Sequence, residues 1–145
     1  MRTLFSLRHG WAIAIYALLD IFCAGLGMGV PFFCILLGLP VGWYIARRIN
    51  PNSLSTREVL RKILSTAALT SAFTFVLMVL IWAYSILMFV DSSADLANYG
   101  IPLILYELLP SFIGWLVLMI VISPFLQFLM TLLGAHLTWL VETAD

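Results

Sequence analysis

Apolar residues occupy three long runs, at about 10–46, 63–90 and 102–141, separated by two short polar stretches. The first run is about 37 residues. As one straight helix it would measure roughly 55 Å, nearly twice the hydrocarbon thickness of a bilayer. Two helices joined by a bend fit better. The bend belongs within Gly27-Met28-Gly29-Val30-Pro31, because glycine tolerates left-handed backbone and Pro31 can open a new helix in its first turn. Helix 1 is expected at about 10–27 and helix 2 at about 31–49. The Gly- and Pro-rich stretch 24–43 suggests that helix 2 packs closely on its neighbours.

The polar stretch 47–62 reads RRINPNSLSTREVLRK and ends in a helix start. Ser55 can cap, Glu58 completes a capping box, and Leu54 and Val59 stand at the positions of a hydrophobic staple. Helix 3 is expected from Thr56 to about Val90, roughly 52 Å and long enough to span a membrane and project beyond it. Its early turns carry Ala67, Ala68, Ser71 and Ala72, small residues at i, i+4 spacing that allow close helix packing in lipid. A polar loop follows at 91–100. A short interfacial helix is expected at about 102–108, then helix 4 at about 110–141, bent near Pro124 because proline cannot continue the hydrogen-bond ladder.

Composition makes lipid the expected solvent. The chain is 145 residues, 63% hydrophobic and 10% charged, against about half apolar and a quarter charged for an ordinary soluble domain. The expected fold is all-α: a polytopic single domain of four transmembrane helices arranged as two antiparallel hairpins. Formal net charge is zero, and no basic block points to nucleic acid. All seven cationic residues (Arg2, Arg8, Arg47, Arg48, Arg57, Arg61 and Lys62) fall on one side of a four-span arrangement. The positive-inside rule then places both termini and the 47–62 loop in the cytoplasm, most simply at the cell membrane. A cleaved signal peptide is not expected, since the first apolar run contains Asp20 and no small-x-small site precedes a polar region. Lipidation at Cys23 is not expected either.

Asp20 is the sharpest candidate for chemistry. A carboxylate at mid-bilayer costs about 2.5–3.5 kcal/mol on insertion scales, so it faces protein or water. It is either a proton or cation site, or a protonated or hydrogen-bonded group locking helix 1 to the Ser/Thr face of helix 3. Glu107 is a solvated interfacial carboxylate or the outer mouth of a path toward Asp20. His9 and His136 are not expected to bind metal, because zinc takes three or four protein ligands. Cys23 and Cys34 lie equidistant from the bend and are expected as free thiols. The GLGMG run follows no strand and lacks the partners of a phosphate loop. Arg47, Arg48, Arg61 and Lys62, beside Trp43 and Tyr44, are candidate contacts for anionic lipid headgroups.

No catalytic set, cofactor or metal site is apparent. The leading expectation is therefore a non-catalytic scaffold or subunit of a membrane complex, in contact with the bilayer and with other membrane proteins or copies of itself. The alternative is a subunit of an ion- or proton-coupled transporter using Asp20, and a third is a membrane enzyme acting on lipid. Glu142 would lie level with Arg57 and Arg61 if helices 3 and 4 are antiparallel.

Overall fold

The structure, a computed structural model, describes residues 9–26, 31–49, 55–90 and 105–144, with the side chains of His9, Phe89 and residues 142–144 outside that description. Of the described residues 94% are helical and none is in a strand. The helices are α1 (His9–Leu26), α2 (Phe32–Arg48), α3 (Thr56–Ile81), α4 (Ala83–Val90), α5 (Leu108–Val117) and α6 (Ser123–Ala144). A five-residue π segment, Leu118–Ile122, joins α5 to α6. Two helical runs, Thr56–Ile81 and Leu108–Val141, are long and apolar enough to cross a membrane; Gly10–Leu26 is a shorter apolar helix.

The helices form a bundle with alternating directions. Tyr16 and Asp20 on α1 bond to Thr70 and Thr74 on α3 at a constant sequence offset, so α1 and α3 run parallel. On α2, Gly38 meets Gln127, Met130 and Thr131 of α6, while Gly42 meets Thr131 and Ala135, so these two are parallel as well. Ser71 meets Pro124, and Val59 and Ile63 cluster with Ala135, so α3 and α6 are antiparallel.

Among the described helices α2 and α6 approach closely, and glycine makes it possible. A Cβ at Gly38 would stand 2.6 Å from the Gln127 carbonyl oxygen. One at Gly42 would collide with the Thr131 carbonyl oxygen, and one at Gly134 with the carbonyl of Leu39. Cys34, Gly38, Gly42 and Ala46 are all buried and recur every four residues, forming a smooth stripe along α2. Small residues let helix backbones approach where dispersion, not water exclusion, holds them together. Close packing of helix 2 is the expectation from sequence, and α2 runs unbroken through Gly38, Pro40 and Gly42 to achieve it. Pro31 sits at its N-cap, with the Ile35 N–H donating to its carbonyl at 2.9 Å. Gly27 and Gly29, expected at the bend, lie outside the described residues.

The capping box at the start of α3 is formed. Ser55 Oγ accepts from the Glu58 N–H, and Glu58 Oε2 accepts from the Ser55 N–H at 2.9 Å. The expected helix over 56–90 is interrupted at Trp82, whose N–H reaches the carbonyls of Leu80 and Met78. Trp82 meets Trp115 of α5 edge to face, with ring centroids 6.5 Å apart.

Two corrections concern the last run. Of the expected interfacial helix at about 102–108, residues 105–107 are not helical and Leu108 already belongs to α5. Ser111 Oγ accepts from the Leu105 N–H at 2.8 Å and stands within donating distance of the Leu105 and Glu107 carbonyls, folding this turn onto the start of α5. The irregularity near Pro124 takes the form of the π segment. Pro124 has no N–H for the Ile120 carbonyl, and its ring crowds that group, so the ladder shifts by one residue. The N–H of Ser123 instead reaches Leu118, whose carbonyl also accepts from Ser123 Oγ at 2.7 Å.

Candidate functional site

Asp20 is fully buried, at 0% exposure, in a polar network drawn from three helices. Tyr16 and Asp20 are four residues apart on α1 and therefore share a face. Thr70 and Thr74 do the same on α3. Gln127 enters from α6, in a line of buried polar residues with Ser123 and Thr131 at the same spacing. Thr74 Oγ1 donates to Asp20 Oδ2 at 2.7 Å. Tyr16 OH lies 3.0 Å from Thr74 Oγ1 and donates to the Thr70 carbonyl at 2.9 Å. Gln127 Nε2 donates to Tyr16 OH at 2.8 Å. The Phe73 ring closes one side against Tyr16, with centroids 5.9 Å apart.

The network is incompletely satisfied. Asp20 Oδ1 and Gln127 Oε1 are buried without a hydrogen-bond partner. Both are acceptors, and a buried acceptor without a donor costs free energy. The backbone carbonyl of Asp20 does receive one, from Cys34 Sγ on α2 at 3.5 Å. Asp20 is thus the residue at which α1, α2 and α3 meet, and Tyr16 extends the connection to α6. Chemically the array can hold four helices in one rotational setting, and it offers a continuous amide–phenol–hydroxyl–carboxyl path.

The other residues singled out in the sequence lie elsewhere. Glu107 is exposed at the N-cap position of α5, where its side chain makes no capping bond. Ala67 is fully buried, and Ser71 Oγ donates across to the Pro124 carbonyl at 2.6 Å. Ala68 and Ala72 are exposed, so close packing within the chain uses the Ala67–Thr70–Thr74 face rather than the Ala68–Ala72 one. Cys34 is buried and Cys23 half-buried, both free thiols. His136 is exposed on α6. Among the described residues no three His, Cys, Asp or Glu gather as a metal site. The chain matches no family model, no curated protein and no solved structure.

Arg47, Arg61 and Lys62 are exposed at the end of the bundle where α2 finishes and α3 begins. Arg48 donates to Tyr44 OH at 3.1 Å, with its guanidinium carbon 5.9 Å from the Tyr44 ring centroid. The expected pairing of Glu142 with Arg57 or Arg61 rests on a side chain outside the described residues. Tyr16 and Gln127 were not singled out from sequence. The signal was available: Tyr16 precedes Asp20 by one helical turn, and Ser123, Gln127 and Thr131 form a polar line in an apolar run.

Proposed function

We propose that the chain is a small integral membrane protein acting as a non-catalytic scaffold or subunit of a membrane complex. In this reading α1, α2, the α3–α4 run and the α5–α6 run each cross the bilayer, with both termini in the cytoplasm at the cell membrane. The observation that carries the scaffold reading is the complete burial of Asp20 with the Thr74 hydroxyl on its Oδ2. A carboxyl tied to a neighbouring helix works as packing glue, as polar groups in membrane bundles commonly do. Alternating helix directions support the four crossings, since they bring the ends near Arg47, Arg48, Arg57, Arg61 and Lys62 to one side.

Carboxyl infrared difference spectroscopy on the protein in lipid tests this, with Asp20→Asn identifying the band. The expected band exchanges slowly with deuterated water and does not titrate across about pH 5–8, the range in which functional carboxyls work. Fast exchange with titration in that range would replace the scaffold reading by the second one, a subunit of an ion- or proton-coupled transporter. That reading draws on the unpartnered Asp20 Oδ1 and Gln127 Oε1, which leave acceptor capacity inside the bundle.

A further inference from the structure

The cations of the 47–62 region are gathered on one rim by apolar packing beneath them. Ile45, Ala46 and Ile49 of the α2 end cluster with Val59 and Ile63 of the α3 start and with Ala135 of α6. The end of α2, with Arg47 and Arg48, and the start of α3, with Arg57, Arg61 and Lys62, therefore lie at the same end of the bundle. On the exposed face of α3 a shallow, open groove of about 290 Å³ is bordered by Glu58, Arg61, Lys62 and Ser65.

Depth follows from helix length. After Lys62, α3 carries no charged residue through Ile81. That stretch is about 19 residues, roughly 28 Å, close to the hydrocarbon thickness. Arg61 and Lys62 therefore stand at the level of the lipid phosphates when α3 spans the bilayer.

The groove holds two cations against one carboxylate, so its net charge is positive. Glu58 Oε2 accepts from the Ser55 N–H at 2.9 Å and from Ser55 Oγ at 2.8 Å. Its charge also interacts with the Lys62 ammonium one turn on, and Arg61 is the cation in excess. Guanidinium, ammonium and the Ser65 hydroxyl are all donors suited to a phosphodiester.

We infer that the groove between Glu58 and Ser65 binds the phosphate of an anionic phospholipid through Arg61, Lys62 and Ser65. The site rests on the membrane-spanning reading of α3. Native mass spectrometry of the detergent-solubilised protein, offered phosphatidylglycerol and phosphatidylcholine in equal amounts, tests it. The wild type retains phosphatidylglycerol preferentially. Arg61→Gln and Lys62→Gln each lower that preference about fivefold, the effect of one cation near a charged membrane surface, and leave phosphatidylcholine unchanged. Both side chains are exposed, so helicity is retained and is checked by circular dichroism. Equal retention of the two lipids overturns the inference, as does a preference that survives the double variant. Displacement of the lipid by inorganic phosphate that binds by itself assigns the groove to free phosphate and likewise overturns it. Release of the chain from membranes by alkaline carbonate would defeat the spanning reading; membrane retention without headgroup preference defeats this inference alone.

Discussion

The Thr74 hydroxyl on α3 donates to Asp20 Oδ2 on α1 at 2.7 Å, joining residues 54 positions apart. This bond gives the most polar atom of an apolar helix a partner that no local structure could supply. It also sets the rotation of α1, because the same face presents Tyr16 to Thr70, Thr74 and Gln127.

Thr74→Val keeps the shape of the side chain and removes its hydroxyl. Asp20 Oδ2 then joins Oδ1 as a buried acceptor without a donor. The bundle is expected to lose about 1–2 kcal/mol, the upper range for polar contacts between membrane helices. Thr74→Ser, which keeps the hydroxyl, loses less. Reversible unfolding in mixed micelles measures both, and a valine variant as stable as wild type would show that the bond contributes nothing.

Glycines along the chain are expected to divide sharply. A Cβ at Gly42 meets the Thr131 carbonyl oxygen, which belongs to rigid backbone, so Gly42→Ala forces α2 and α6 apart. Overpacking of this kind costs about 1–3 kcal/mol. Gly114 has nothing within 4 Å of the same position. Gly114→Ala is therefore neutral, or stabilises by up to about 1 kcal/mol through helix propensity. Thermal unfolding of the two variants side by side checks the contrast; equal effects would mean that α2 and α6 do not approach as described.

The proposed topology makes opposite loops label from opposite sides. Ser53→Cys is expected to react with a membrane-impermeant maleimide only when the cytoplasmic face is accessible, and Ser93→Cys only from the outer face. Cys23 and Cys34, half-buried and buried, provide the background. Labelling of both positions from one side would reject the four-span arrangement, whatever the role of Asp20.

The sequence by itself determined the features that neighbouring residues decide. In the membrane-spanning reading, an overwhelmingly apolar chain with polar interruptions satisfies its backbone hydrogen bonds within the chain, and runs of this length do so as helices, in keeping with the all-α class. The Ser55–Glu58 capping box closes within one turn, so it was legible from spacing alone. Asp20 was conspicuous because a carboxyl among Leu18, Leu19, Ile21 and Phe22 has no local means of support. Tertiary structure decided which partners were used. The long runs offer several lines of small or hydroxyl residues at nearly equal spacing, and helix rotation selects among them. It buried Ala67, Thr70 and Thr74, left Ala68 and Ala72 outside, and brought Gln127 to Tyr16. The break at Trp82 and the shifted ladder before Pro124 belong to the same class. Proline removes one ladder bond, but a helix can run on past it, as α2 does at Pro40, or shift to a π turn, as happens before Pro124. The α2–α6 contact shows the reason most plainly: glycine permits a close approach, and only a facing backbone, here Thr131 and Leu39, makes use of it.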